Sequence, residues 1–241
     1  MRRMIPPAAW LAALAAAFAL CTSLARAGTY EEGVAAADHG DDATALRLWL
    51  PLASQGHARA QVSLGDVYHG GLGVPRDDVQ AMKWYRQAAS QGNVKAQLKL
   101  GAMYYTGSGA PQDYAEAMKW YRLAAAQGDA EAELKLGAMY YGGSGVPRDY
   151  AQAVKWYRLS AGHGDAEAQF DLGSMYREGN GVASNTTLAH MWANLAAAQE
   201  FLGAAELRDE IAGKMTPRQI SQAQELARQC EISNYRNCGQ S

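Results

Sequence analysis

Apolar positions along the chain fall into two helical stripes separated by a glycine-rich breaker, and the whole arrangement returns every 36 residues. In the stretch 93–128, Ala96, Leu100, Met103 and Tyr104 stand at i, i+4, i+7 and i+8, which places them on one face of a helix. Gly107, Ser108, Gly109 and Pro111 interrupt the stripe. A second helix is predicted from Asp113 as N-cap, with Tyr114, Ala117, Tyr121, Ala124 and Ala125 on one side and Trp120 beside it. Gly128 then ends that helix as a C-terminal glycine. Trp84, Trp120, Trp156 and Trp192 carry the period through the chain, together with Gly56, Gly92, Gly128 and Gly164.

Gly65, Gly101, Gly137 and Gly173 lie inside the first helix of each unit. A glycine there costs about 1 kcal/mol relative to alanine, so a close approach of the partner helix must offset it. The expectation is that the unit's Trp or Tyr lies over the missing side chain. Recurrence of tryptophan at one helical position reads as core packing rather than a ligand cage.

The ends depart from the period. Asp41 to Gly56 supplies a second helix in register, with Leu48 where other units have Trp and Trp49 where they have Tyr85 or Tyr121, while Tyr30 to His39 is short for a first helix. Ala183 replaces the loop prolines Pro75, Pro111 and Pro147, and Asn194 replaces Arg86, Arg122 and Arg158. Beyond the array, Phe201 to Lys214 and a segment with Thr216 as N-cap and Pro217 at N1 read as capping helices.

Charge and cysteine usage narrow the class. Arg2 and Arg3, an apolar run from Ala8 to Leu20 and then Ala25, Arg26 and Ala27 have the order of a secretory leader cleaved after Ala27. The run is shorter than a spanning helix needs. Leu20 before Cys21 is too large for a lipoprotein signal, and Met4 to Pro7 do not resemble a twin-arginine signal. Without residues 1–27, 19 basic side chains face 24 acidic ones, a formal charge of −5. Lys and Arg are spread singly among acids, which argues against a nucleic-acid binder. Cys230 and Cys238 would remain, and in an oxidising compartment they are expected to pair as a disulfide.

Leu136, Gly137, Tyr140, Gly143, Gly145, Val146, Asp149, Ala153, Trp156, Tyr157 and Gly164 match the pattern A-x-x-x-L-G-x-x-Y, G-x-G-V-x-x-D, A-x-x-W-Y and A-A-x-x-G. On these residues the chain resembles the Sel-1-like repeat family, part of the tetratricopeptide-like superfamily. The resemblance implies an all-α fold, an α/α right-handed superhelical solenoid of helix pairs with a helical C-terminal cap. The expected organisation is a leader over 1–27, a repeat array over 28–200 and a capping, disulfide-closed tail over 201–241. Within the array a partial unit spans 28–56, followed by units at about 57–92, 93–128, 129–164 and 165–200.

No chemistry-bearing motif survives inspection. The glycine loops lack the Lys-Ser/Thr of a phosphate cradle and lie between helices. Gly142, Gly143 and Ser144 begin like a nucleophile elbow, but Val146 replaces its last glycine. His39, His57, His69, His163 and His190 share no repeat position and no i, i+4 pairing, so neither metal site nor triad is expected, and each reads as a solvated surface residue. Asp77, Asp113 and Asp149 read as helix caps rather than general acids. No cofactor is expected.

What varies at equivalent positions of the first helices is Ser63, Lys99, Lys135 and Asp171, and His69, Tyr105, Tyr141 and Arg177. The resemblance places first helices on a concave face, so these eight residues are the candidate contacts for a protein or peptide partner. The expected function is a non-catalytic periplasmic or secreted adaptor, of the kind that in some relatives regulates envelope signalling or polysaccharide export. Two other functions stand beside it: weak β-lactam hydrolysis, suggested for cysteine-rich relatives whose helix pairs carry cysteines absent from the repeats here, and a secreted effector acting on a host.

Overall fold

The computed structural model describes residues 30–235 and Cys238; the expected leader, and the choice between cleavage and anchoring, lie outside them. Among the described residues all regular structure is helical. Helix α1 covers 30–38. It is followed by α2 (Asp42–Ser54), α3 (Ala58–Gly70), α4 (Asp78–Ser90), α5 (Val94–Thr106) and α6 (Tyr114–Ala125). Then come α7 (Ala130–Gly142), α8 (Tyr150–Ala161), α9 (Ala166–Glu178), α10 (Thr186–Ala198), α11 (Ala204–Ala212) and α12 (Pro217–Ile232). The chain is all-α and built of tandem helix pairs, as its periodicity predicts.

Local chemistry explains where each helix begins. Asp77, Asp113, Asp149 and Asn185 adopt extended backbone and accept hydrogen bonds from amides in the first turns of α4, α6, α8 and α10. The same role falls to Asp129 for α7, to Asp165 for α9 and to the His57 ring nitrogen Nδ1 for α3. At the far end the chain turns with a left-handed residue. The amide of Gly128 (φ +82°) donates to the Ala125 carbonyl, and that of Asp129 to Ala124, so the orphan carbonyls of α6 are satisfied within one tight turn. Asp129 thus ends one helix pair and caps the next.

After α10 the equivalent turn is made by Glu200, at φ +59°, with its amide bonded to Ala197 and that of Phe201 to Ala196. A left-handed non-glycine residue costs about 1–2 kcal/mol, against about 0.5–1 kcal/mol of extra chain entropy for a glycine. Glu200→Gly is therefore expected to raise stability by about 0.5–1 kcal/mol, read as a higher urea midpoint at unchanged slope. A lower midpoint would show that the exposed Glu200 side chain contributes more than its backbone strain costs.

The chain divides into two compact units, one comprising 30–96 with 108–110, the other 97–107 with 111–235 and Cys238. In the first, Ala45, Trp49, Leu52, Ala60, Leu64 and Val67 form a core to which Tyr30 contributes. Trp49 lies across Gly33 of α1, where a Cβ would stand 2.3 Å from its indole nitrogen, and that nitrogen donates to the Tyr30 carbonyl at 3.2 Å. The short α1 therefore repeats the aromatic-over-glycine contact that Tyr85 makes on Gly65.

In the second unit, Tyr121 lies over Gly101 and Tyr157 over Gly137, with a hypothetical Cβ 2.5 Å and 2.6 Å from the rings. Burying an aromatic side chain is worth about 1.5–3 kcal/mol, more than the roughly 1 kcal/mol lost by a helical glycine, so the packing wins. The covering ring is the tyrosine, not the tryptophan. Trp84, Trp120 and Trp156 are only half-buried, whereas Tyr85, Tyr121 and Tyr157 are at most 3% exposed. At Gly173 no ring intervenes. A Cβ there would meet the backbone of α10, 3.2 Å from Ala193 N and 3.3 Å from Ala189 O, because Ala193 stands in the tyrosine position and Trp192 is the buried aromatic. Helices α11 and α12 pack Leu207, Ile211, Ala223, Ala227 and Cys230 into the cluster containing Trp192. The Thr216 capping box starts α12, with Pro217 in its first turn.

Candidate partner-binding face

Each sequence-derived contact position can be located on its helix. In the first unit, Ser63 on α3 is half-buried and shares a hydrogen bond of 3.3 Å with the Tyr30 hydroxyl. His69 is exposed, and its Nδ1 lies 2.7 Å from Asp78, which also binds Arg76. The Arg76 guanidinium holds the Asp78 carboxyl below its ordinary range; burial opposes it, and His69 adds a smaller lowering effect. Both candidates are thus engaged inside the unit.

The second unit brings two candidates to one place. Tyr105 from α5 and Lys135 from α7 line a groove of about 320 Å³, completed by Ala102, Thr106, Tyr121, Ala138 and Met139. Tyr121 and Met139 are buried and form its floor, while Tyr105 is 38% exposed at its edge, 5.1 Å from the Tyr114 ring. Lys135 is half-buried and carries no ion pair among the described residues. Burial holds the Tyr121 phenol well above its ordinary range, so the groove presents neutral hydroxyls, from Tyr105, Thr106 and Tyr121, and one ammonium on a largely apolar surface.

The other candidates are not part of this groove. Lys99 on α5 is half-buried and already engaged, and Tyr141 is exposed against Tyr150 at 5.2 Å. Arg177 binds Glu178 and Glu210, each at 2.9 Å, so it serves to tie α9 to α11. Asp171 accepts a hydrogen bond from Tyr157. Burial raises its carboxyl to about 6; the tyrosine hydrogen bond opposes this, and the charges of Glu167 and Asp165 add to it.

Sequence reasoning missed Ala102, Ala138 and Tyr121 as groove residues. A signal was available: the position of Ala102 and Ala138 is Asp66 in α3, whose carboxylate accepts the Tyr85 hydroxyl at 2.6 Å. Where the acid becomes alanine, space opens beside the next tyrosine. Of the histidines expected on the surface, His190 is 2% exposed in α10, its Nδ1 without a partner, and burial lowers its basicity. It occupies the position of Met118 and Val154, which are core residues.

Cys230 and Cys238 have Cα atoms 4.8 Å apart, within the span of a disulfide. Among the described residues no three His, Cys, Asp or Glu side chains gather as metal ligands, and no helix is long and apolar enough to cross a membrane.

Tandem pairs of helices of about thirteen residues, closed by glycine turns and faced by a shallow groove, define a helical repeat protein. The chain belongs to the Sel1 repeat family: the Sel1 repeat model matches residues 58–93, 94–129, 130–165 and 166–201. The crystal structure of a Sel1 repeat protein from Oxalobacter formigenes is similar at 32% identity and a TM-score of 0.71, over 86% of this chain and 84% of that one. A protective antigen present in uropathogenic Escherichia coli strains, displaying an SLR fold, is similar at 27% identity and a TM-score of 0.54, over 87% of this chain and 55% of that one. A Sel1 repeat protein from Klebsiella pneumoniae shares the fold at 22% identity and a TM-score of 0.50, over 78% and 93% of the two chains. No curated protein matches the chain. Sel1 repeats generally mediate protein–protein interaction, and proteins of this family are typically non-catalytic scaffolds.

Proposed function

We propose that this chain is a non-catalytic scaffold of the periplasm or the extracellular space that holds a protein or peptide partner on the face formed by its first helices. The observation that carries this reading is the groove of Tyr105, Tyr121, Lys135 and Met139. It is apolar enough to take a side chain, and it offers the exposed Tyr105 hydroxyl and an ammonium without an ion pair among the described residues to orient a backbone or carboxylate. An exposed aromatic beside a buried floor is the composition of an interface anchor. Lys99, Tyr141, Asp171 and Arg177 belong to the same proposed face of the second unit as shaping residues around that anchor, and Ser63 and His69 are proposed contacts of the first unit by itself. The leader expected over 1–27 supports export, and in that compartment Cys230 and Cys238 pair and close the tail against α12.

The test is site-specific photocrosslinking from position 105 in the cell, with a crosslinker at Leu159, which is 50% exposed on α8, as control. With the captured partner purified, Tyr105→Ala and Lys135→Glu are each expected to weaken binding about tenfold, equivalent to about 1.4 kcal/mol. Leu159→Ala should leave the affinity unchanged. Capture from position 159 alone, or equal losses from all three substitutions, would move the binding surface elsewhere. Envelope signalling or polysaccharide export is then decided by the identity of the partner. Nitrocefin turnover by the purified protein, abolished by a single substitution, would replace this reading with the hydrolase.

A further inference from the structure

A polar pair with one buried and one exposed member recurs in every helix pair of the repeat array, and one pair is made of different chemistry. Gln61, Gln97, Glu133 and Gln169 occupy one position on the first helices, and Gln91, Gln127, His163 and Gln199 one position in the turn after the second. The Gln91 amide donates to Gln61 at 2.8 Å, Gln127 to Gln97 at 2.8 Å and Gln199 to Gln169 at 3.0 Å. These ties join the start of the first helix to the end of the second, and amides do not titrate. In the α7/α8 pair alone the partners are an acid and an imidazole, with His163 Nε2 3.6 Å from Glu133 Oε2.

Glu133 is 4% exposed, and its Oε2 is buried without a hydrogen-bond partner. A buried carboxylate without a counterion is costly, and His163, its side chain 51% exposed and a cation only when protonated, is the one basic group within ion-pair distance of it among the described residues. The other charges nearby are acids: Asp129, the cap of α7, and Asp165, the cap of α9, which follows His163 by two residues. The Tyr235 ring rests on Gly164, the residue after His163, 3.2 Å from where a Cβ would stand. The same helix pair has a second, neutral tie, the Ser160 hydroxyl donating to the Ala130 carbonyl at 2.9 Å, where the other second helices have Ala88, Ala124 and Ala196.

We infer that Glu133 and His163 form a pH-sensitive tie, which closes the α7/α8 helix pair under mildly acidic conditions and slackens as the pH rises. When the imidazole is protonated it supplies the cation that Glu133 needs; when it is neutral, a buried carboxylate faces it with no compensating charge. The same proton has a second place on the carboxyl, which removes the buried charge instead of pairing it and gives the same sign in pH. Burial raises Glu133, with His163 opposing and Asp129 adding, so the folded state keeps a proton that the unfolded chain has released. Stability from that proton is complete below the ordinary carboxylate range and is lost as the pH climbs through the raised value. The Ser160 tie joins the same two helices and does not titrate, so it persists when the Glu133–His163 tie slackens. This inference stands apart from the partner-binding reading, although α7 also carries Lys135.

The experiment is thermal unfolding of the full chain from about pH 5.5 to about pH 8.5, comparing wild type with the double variant E133Q/H163Q and with E133Q. The double variant restores the amide pair that three other helix pairs already use, and E133Q puts at 133 the amide found at 61, 97 and 169, so both should fold. At about pH 8 each is expected to melt roughly 2–4 °C above wild type, and the gap should close toward about pH 5.5. Because Asp171 and His190 titrate alike in all three proteins, only the difference between the curves reports the pair. Parallel curves, or a gap that widens toward acid, would overturn the inference.

Discussion

Gly137→Leu is expected to lower the stability of the second unit by about 2–3 kcal/mol and its melting temperature by several degrees. Substitution by a good helix former returns about 1 kcal/mol of propensity. Against that gain, even the first added carbon would stand 2.6 Å from Tyr157 Cδ1 and 2.7 Å from Cε1, and the ring is 3% exposed. Overpacking of a well-packed core costs about 1–3 kcal/mol and more where the neighbour is rigid. The cause is isolated by a double-mutant cycle with Tyr157→Ala, itself expected to cost about 3–5 kcal/mol as a large aromatic truncation. In the double variant the introduced leucine occupies the space the ring vacates, so the two losses should combine to less than their sum by more than about 1 kcal/mol. Strict additivity would mean that the glycine is not there to receive the tyrosine.

The second large effect belongs to the loop glycine between helices of one pair. Gly181 has φ +71°, and a Cβ on it would lie 2.3 Å from the Tyr150 carbonyl carbon and 2.4 Å from its oxygen, at the start of α8. These are backbone atoms within the first turn of a helix, so neither partner can rotate away. Gly181→Ala is expected to cost about 3 kcal/mol or more, combining a left-handed penalty of about 1–2 kcal/mol with the displacement of one helix pair on its neighbour. Gly128→Ala is the control. It has φ +82° but nothing within 4 Å of its added Cβ, and should show the backbone penalty alone. Chemical denaturation of the two variants separates strain from packing. If they lose the same amount, the loop glycine does not set the spacing of successive pairs.

Much of the architecture is legible in the order of residues. A period of 36 residues, an apolar stripe at helical spacing and caps such as Asp113 and Asp149 are enough to place helix pairs, because capping and amphipathicity are local properties of the chain. The helical glycines also announce a close approach. Which ring makes it is not legible, since Trp156 and Tyr157 are adjacent in sequence and both recur with the period. Only the rotation of α8 against α7 turns the tyrosine inward and leaves the tryptophan half-buried.

The candidate face divides in the same way. Equivalent positions on the first helices can be read from the repeat, yet whether each side chain is open or engaged depends on neighbours far along the chain. Arg177 matches Tyr105 and Tyr141 by register, but Glu210 of α11 claims it at 2.9 Å. Position 133 is one more polar variation until it meets position 163, thirty residues away, in the place where three other pairs join two amides. Helices, their caps and their repetition follow from interactions within a few residues, so the order of amino acids suffices to place them. Which aromatic fills the core, where the groove opens and which polar groups are left facing one another are set only once the helices pack. Those outcomes depend on how one helix is rotated against the next, and no single helix carries that information.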